Sequence, residues 1–213
     1  MRFGDDRRIV PVYLYMRLSE VFSYTEENFF ILKGLYFMSS IINIETTRLI
    51  LRPFTEADAA AASYNSKQPT VAYIMSDMVL ETEEAALNWI RWINNDMFDT
   101  DIPCVVLAIE LKHNKACIGL IGVAPKKEIN NEIEILFSIA DEYQNNGYVT
   151  EAGKAMIEWV FKKTKQDHLS AIVKPNNKAS RRVIEKLGFA YISTRTLHYD
   201  GADCEFDYFR INR

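Results

Sequence analysis

The residues best placed to hold a charged ligand fall in one stretch, Asp141-Glu-Tyr-Gln-Asn-Asn-Gly-Tyr-Val-Thr-Glu-Ala152. An apolar run, Ile133 to Ile139, leads into a polar loop with a single glycine, and an amphipathic pattern begins at once. The N–H groups at a helix start have no intrahelical acceptor and carry partial positive charge. A strand–loop–helix corner of this kind is therefore a natural cradle for phosphates. Gly147 lets the backbone come close to a ligand, and Thr150 adds a hydroxyl donor. The chain contains neither G-x-x-x-x-G-K-[ST] nor G-x-G-x-x-G, which argues against nucleoside triphosphates and dinucleotides. Alone, such a corner is more often a plain connection than a ligand site.

Other chemistries find less support. Three cysteines, Cys104, Cys117 and Cys204, lie far apart and form no C-x-x-C pair, which argues against a disulfide framework and a structural zinc site. They read as thiols packed as small hydrophobes. His113, His168 and His198 are equally scattered, so no metal centre is expected. Lys and Arg number 25 against 29 Asp and Glu, a net charge of -4 without a basic run, which speaks against nucleic acid. No apolar stretch approaches the ~18 residues of a membrane span, and no secretory signal is legible. A cytoplasmic protein without membrane partners is expected.

The elements that must carry this corner alternate between strand and helix. Arg48–Arg52 reads as a strand stopped by Pro53, and Thr55-Glu-Ala-Asp58 as a capping box opening a helix to about Tyr64. Ala86, Trp89, Ile90, Ile93 and Met97 share one face of a helix over 82–97. Strands follow at Cys104–Leu111, Ala116–Val123 and Glu132–Ile139, then a helix over 150–163. Leu169–Lys174 is a strand, 179–187 a short helix stopped by Gly188, and Ala190–His198 with Cys204–Ile211 a closing hairpin. The order β-α-α-β-β-β-α-β-α-β-β predicts an α/β (α+β) fold with a mixed, largely antiparallel sheet, not a doubly wound one. Residues 41–213 read as one domain. Residues 1–40 read as an extension: they precede Met38 or adjoin it, and the first 37 hold 9 of the chain's 26 aromatics. Met38 is read as the natural initiator, with a helical docking arm as the alternative.

Three blocks carry a family resemblance: T-x-R-L-x-L-R-x-F with Asp58 beyond it, E-Y-Q-x-x-G-Y-x-T-E-A over 142–152, and N-x-x-S-x-R-V-x-E-K-L-G-F over 177–189. In order and spacing they resemble the GNAT superfamily of acyl-CoA-dependent N-acyltransferases. The nearest branch is that of the Rim-type ribosomal-protein N-terminal acetyltransferases and the related spermidine acetyltransferases. The resemblance spans residues 44 to about 211.

The resemblance implies acetyl-CoA as cosubstrate, no metal, and a sheet whose fourth and fifth strands splay to admit the cosubstrate. The pyrophosphate would rest on the backbone amides of Gln144, Asn145, Asn146, Gly147, Tyr148, Val149 and Thr150. Pantetheine would add like a strand to the backbone of Phe137, Ser138 and Ile139, with Asn177 facing it. Asn145 and Val149 stand where the family usually has small residues, and Asn tolerates unusual backbone angles well enough for the loop to form. In Asn131-Glu-Ile-Glu-Ile135, Glu132 and Glu134 project to one face. Glu134 matches the family's glutamate beside the thioester and is the expected base or amine-orienting carboxylate, with Glu132 second. A solvated strand glutamate is the bland alternative. The family's usual tyrosine acid falls at Ile184, which leaves Ser180 as the substitute, or as a simple first-turn cap. Trp89 and Trp92 lie in a helix that borders the acceptor groove in the family, where packing is the simpler role.

The implied reaction is acetyl transfer to a primary amine, on a protein N-terminus or a small molecule such as a polyamine or an antibiotic. A non-catalytic acyl-CoA-binding module is the alternative from another class. A homodimer would fit the family.

Overall fold

The computed structural model describes residues 42–75, 78–94, 103–199 and 201–213. The proposed extension 1–40, together with Met97 of the expected helix 82–97, lies outside these residues.

Among the described residues eight strands form one sheet: β1 (Ile44–Glu45), β2 (Leu49–Arg52), β3 (Val105–Leu111), β4 (Cys117–Lys126), β5 (Glu132–Ile139), β6 (His168–Val173), β7 (Ala190–Tyr199) and β8 (Ala202–Asn212). The spatial order is β1-β2-β3-β4-β5-β6-β8-β7. Each neighbouring pair is antiparallel except β5 and β6. The mixed, largely antiparallel sheet expected from the order of strands is therefore present, with β1 an added short edge. Pro125 is tolerated inside β4 because β3 pairs only as far as Val123, which leaves that flank without a ladder to break.

Among the described residues five helices flank the sheet: α1 (Ala59–Ser66), α2 (Pro69–Ile74), α3 (Glu83–Asn94), α4 (Tyr148–Lys163) and α5 (Lys178–Lys186). Thr55–Asp58 closes the capping box, with Thr55 N and Oγ1 both donating to Asp58. A short 3-10 turn at Glu56–Asp58 then delays the start of α1 to Ala59. The sequence pattern overlooks α2, whose proline stands at the first turn, where a missing N–H costs nothing. It also places the start of α4 two residues late.

Two apolar layers result, one on each face of the sheet. On one face Ala152, Met156 and Val160 of α4 are fully buried against β-strand residues including Leu49, Ile121, Ile135 and Leu169. On the other, Ala86, Trp89, Ile90 and Ile93 of α3 pack with Phe54, Ala62 and Leu80. Trp89 meets Phe54 edge to face at 5.2 Å. Arg52 ties the first layer's strands to the capping box: its guanidinium grips Asp58 twice, at 2.7 and 2.9 Å, and reaches Glu110 at 2.6 Å. The hydrogen bond with Asp58, opposed in part by burial, raises the guanidinium further above its already high pKa. Although burial works against it, Arg52 and Thr55 hold the Asp58 carboxyl below its ordinary value.

A fork in the sheet with a carboxylate at its crotch

β5 and β6 pair at a single position, Glu134 with Ser170, and part toward their C-terminal ends. Main-chain direction along β5 follows from Ala140 N, which donates to Ile118 O of β4 at 3.0 Å. Main-chain groups point alternately to the two neighbours along a strand. Ser138, Leu136 and Glu134 therefore turn theirs toward β4, and Phe137 and Ile139 turn theirs into the gap. An extended ligand can add to those groups as a further strand. Ser138 joins it differently, through the sheet face that it shares with Glu134.

The corner beyond β5 is built for backbone exposure. Asn145 adopts φ 61 and Gly147 φ 78, both left-handed. Asn145 does so because its short amide suits that region, and Gly147 because it has no Cβ. Gly147 caps α4, so the amides of Tyr148, Val149 and Thr150 occupy the first turn without intrahelical acceptors. Gln144 caps the preceding 3-10 turn, its Nε2 donating to Asp141 Oδ1 at 2.8 Å. Asn146 spends its amide on Tyr143 O and Gln144 O. The side chains of Gln144 and Asn146 are thus committed to the shape of the loop, which presents its amides to a ligand.

A tie absent from the sequence reading fixes the corner from outside. Glu151 accepts from Thr46 Oγ1 at 2.6 Å, Arg48 N at 2.8 Å and Arg48 Nε at 2.7 Å. Burial pulls the Glu151 carboxyl upward, but these donors hold it below its usual range. Arg48 also donates to Asn146 O at 3.0 Å and lies over the Tyr148 ring at 4.4 Å. Arg48 and Glu151 stand in two of the three quoted motifs, so the signal was present without its meaning.

The two glutamates of β5 differ sharply. Glu132 is consumed: Ser170 Oγ, Tyr208 Oη and Arg210 all donate to it, the last at 3.0 Å. Burial opposes the shift, yet these donors depress its carboxyl pKa. Glu134 is 14% exposed, with Lys126 Nζ 4.0 Å away and the Ile172 amide at 3.4 Å. That amide belongs to β6, just past the last rung, and turns to the carboxylate where the ladder stops. Burial pushes the Glu134 carboxyl up to about 7, against a weaker pull from Lys126. Glu134 thus holds a proton near neutrality at the crotch of the fork.

Across the gap, Asn177 caps α5. Its Oδ1 accepts from Ser180 N at 3.1 Å and its Nδ2 donates to Ser180 Oγ at 2.9 Å. Ser180 therefore does serve its helix start, and its hydroxyl proton remains available to a second acceptor. One Nδ2 hydrogen of Asn177 is likewise left over. Ile184 is 1% exposed and belongs to the core, so that position offers no acid. The cysteines are half-buried. Burial pushes the Cys117 thiol up to about 12, which makes it unreactive. Among the described residues no group of three His, Cys, Asp or Glu converges as a metal site, and no helix is long and apolar enough to cross a membrane.

The profile of the acetyltransferase (GNAT) domain matches residues 48–190. The "Uncharacterized N-acetyltransferase YnaD" of Bacillus subtilis is 30% identical over 148 residues, 69% of this chain and 82% of its own. The GNAT-family acetyltransferase of Bacillus anthracis superposes with a TM-score of 0.65 at 24% identity, covering 80% of this chain and 98% of that one. RimJ of Mycobacterium smegmatis, solved in complex with CoA-disulfide, gives 0.64 at 18% identity over 82% and 88% of the two chains.

Proposed function

This chain belongs to the acetyltransferase (GNAT) domain family, and on that premise we propose that it transfers the acetyl group of acetyl-CoA to a primary amine, with Glu134 as base. The acceptor is an α-amino group on a peptide or small molecule, and residues 41–213 form the catalytic unit. The scattered cysteines fit a reducing, cytoplasmic setting. A homodimer is compatible with the reading, and nothing in the site requires one.

The observation that carries the proposal is the fork, with a raised-pKa carboxylate at its closed end and a helix start at its open end. The residues present suit acetyl-CoA. The main-chain groups of Phe137 and Ile139 that face the gap would hold the pantetheine arm, and the amides from Asn145 to Thr150 the pyrophosphate, since the expected Gln144 N–H is already taken by Asp141 O at 3.2 Å. When bound, acetyl-CoA supplies a thioester carbonyl open to attack. An acceptor arrives as an ammonium, with a pKa of ~7.7–8.0 for an α-amino group. Glu134, ionised, takes that proton, directly or through water, and the freed nitrogen attacks the carbonyl carbon. The new C–N bond forms as the C–S bond breaks, its electron pair leaving on sulfur, and the nitrogen gives up its second proton to water. A main-chain N–H near Ile139 steadies the carbonyl oxygen. The thiolate, whose parent thiol has a pKa near ~8.5, leaves tolerably well and is reprotonated by Ser180 or solvent.

The competing reading, a non-catalytic acyl-CoA binder, draws on the buried Ile184. A thermal-shift titration with acetyl-CoA, CoA, NAD and ATP tests the cosubstrate class. Binding at 100 times Kd adds ~2.7 kcal/mol, or ~5–11 °C in Tm. A response to the two CoA species alone supports the proposal. Release of CoA thiol in the presence of amines then separates enzyme from binder.

A further inference from the structure

Beside the fork, on the sheet face that carries Glu134 and Ser138, lies a cavity of about 30 Å3 whose floor is β4 and β5 at Gly119, Leu120 and Ser138. Its walls come from the second apolar layer at Phe54, Met78, Leu80 and Trp89, and from Val71 of α2 with Met75 at that helix's end. Among the described lining residues none is charged. Two of the polar side chains there, Asn65 and Ser66, bond within the fold. Asn65 Nδ2 donates to Cys117 O at 3.2 Å. Ser66 Oγ donates to Ser63 O at 3.0 Å and accepts from Leu80 N at 2.9 Å. Glu81, Glu83 and Glu84 are exposed and outside the lining.

We propose that this cavity receives an aliphatic substituent carried by the acceptor amine, so that the enzyme acetylates α-amines next to an apolar side chain and discriminates against polyamines. The inference rests on the acetyltransferase reading above and names its acceptor class. A polyamine presents further ammonium groups, and burying one without a partner is strongly unfavourable. The described walls supply no carboxylate to meet it. An aliphatic group needs no partner. Met75 and Met78 are unbranched and half-buried, so the walls can adjust to a side chain larger than the present void. The position also suits attack. Ser138 lies between Phe137 and Ile139, whose main chains face the fork, and four residues from Glu134 along one face, roughly 13 Å at strand rise. An amine anchored by its side chain at Ser138 therefore lies beside the main chain that would hold the thioester, with Glu134 farther along the same face and reached through intervening water.

The test is CoA-thiol release from acetyl-CoA with L-leucinamide, glycinamide and spermidine as acceptors, on the full chain. Each methylene withdrawn from water is worth about fourfold, so leucinamide should exceed glycinamide and spermidine at least tenfold in kcat/KM. Met75→Asp should lower leucinamide turnover at least tenfold and raise the spermidine-to-leucinamide ratio. Met75→Leu should keep the wild-type order. An acetyl-CoA thermal shift on each variant verifies that it is folded. Equal or better use of spermidine by the wild type overturns the inference and leaves the acetyltransferase reading standing. Acetyl-CoA binding with no acetylation of any of the three amines also overturns it. Absence of acetyl-CoA binding overturns both.

Discussion

Glu134→Gln keeps the shape of the side chain and removes its charge, and the structure predicts opposite effects on activity and stability. A carboxyl lifted from 4.5 to about 7 by burial binds a proton more tightly in the folded chain than in the unfolded one. The folded state therefore loses stability relative to the unfolded one as pH rises from 4.5 to about 7, by roughly 3 kcal/mol in all. Glutamine has no such loss. At pH 8 the variant should be more stable than the wild type by about 2–3 kcal/mol, or ~4–12 °C in Tm for a domain of this size. The advantage should shrink as pH falls and vanish near pH 4.5. Turnover should move the other way, by at least tenfold and within the ~10²–10⁴-fold that a positioned base supplies. The wild-type kcat/KM should rise through about pH 7, and the variant's profile should lose that limb. Denaturant unfolding across pH, with steady-state rates on matched samples, checks both halves. Unchanged turnover refutes the base. A stability difference independent of pH refutes the desolvated carboxyl, whatever the rates do.

Gly147→Glu should abolish acetyl-CoA binding, because it adds bulk and negative charge at a left-handed residue that caps α4; a preserved thermal shift would remove the phosphate site from this corner. Asp58→Asn leaves the Arg52 guanidinium, only 20% exposed, with half its partners, and should destabilise by about 2–3 kcal/mol in urea unfolding at neutral pH. Because the folded pKa of Asp58 is depressed, that difference should narrow as pH falls below the ordinary aspartate value of 3.8. Gly119→Ala would set a Cβ 2.2 Å from the Ser138 carbonyl oxygen, where backbone must move to admit it. A loss of about 1–3 kcal/mol, with weakened amine specificity, is expected from denaturation and acceptor kinetics.

The sequence made the architecture readable because its signals were local. Strand alternation, the capping box at Thr55 and the glycine stop at Gly188 each act within a few residues. Helix α2 escaped because six residues beginning with proline show no full apolar stripe, and Val71 is held by the cavity wall instead. The two glutamates of β5 look alike in sequence. What separates them is the set of partners for Glu132 from β6 and β8, 38 to 78 positions away. The Arg48–Glu151 tie crosses 103 positions and was equally invisible. Pattern could therefore nominate the corner, whereas the ranking of carboxylates and the character of the acceptor cavity needed the folded chain.

The single rung between β5 and β6 also divides the molecule along its sequence. Strands β1 to β5 come from residues 44–139 and β6 to β8 from residues 168–212, so backbone bonding across the sheet nearly stops where one half of the chain meets the other. Glu132 with Ser170, Tyr208 and Arg210 sutures the closed end by side chains alone. The amides of Phe137 and Ile139 should then exchange with solvent deuterium faster than their neighbours Leu136 and Ser138, whose N–H groups face β4. A cosubstrate laid along the gap would protect them and couple two units that otherwise open separately. Cosubstrate occupancy would then set the cooperativity of the whole sheet as well as its chemistry.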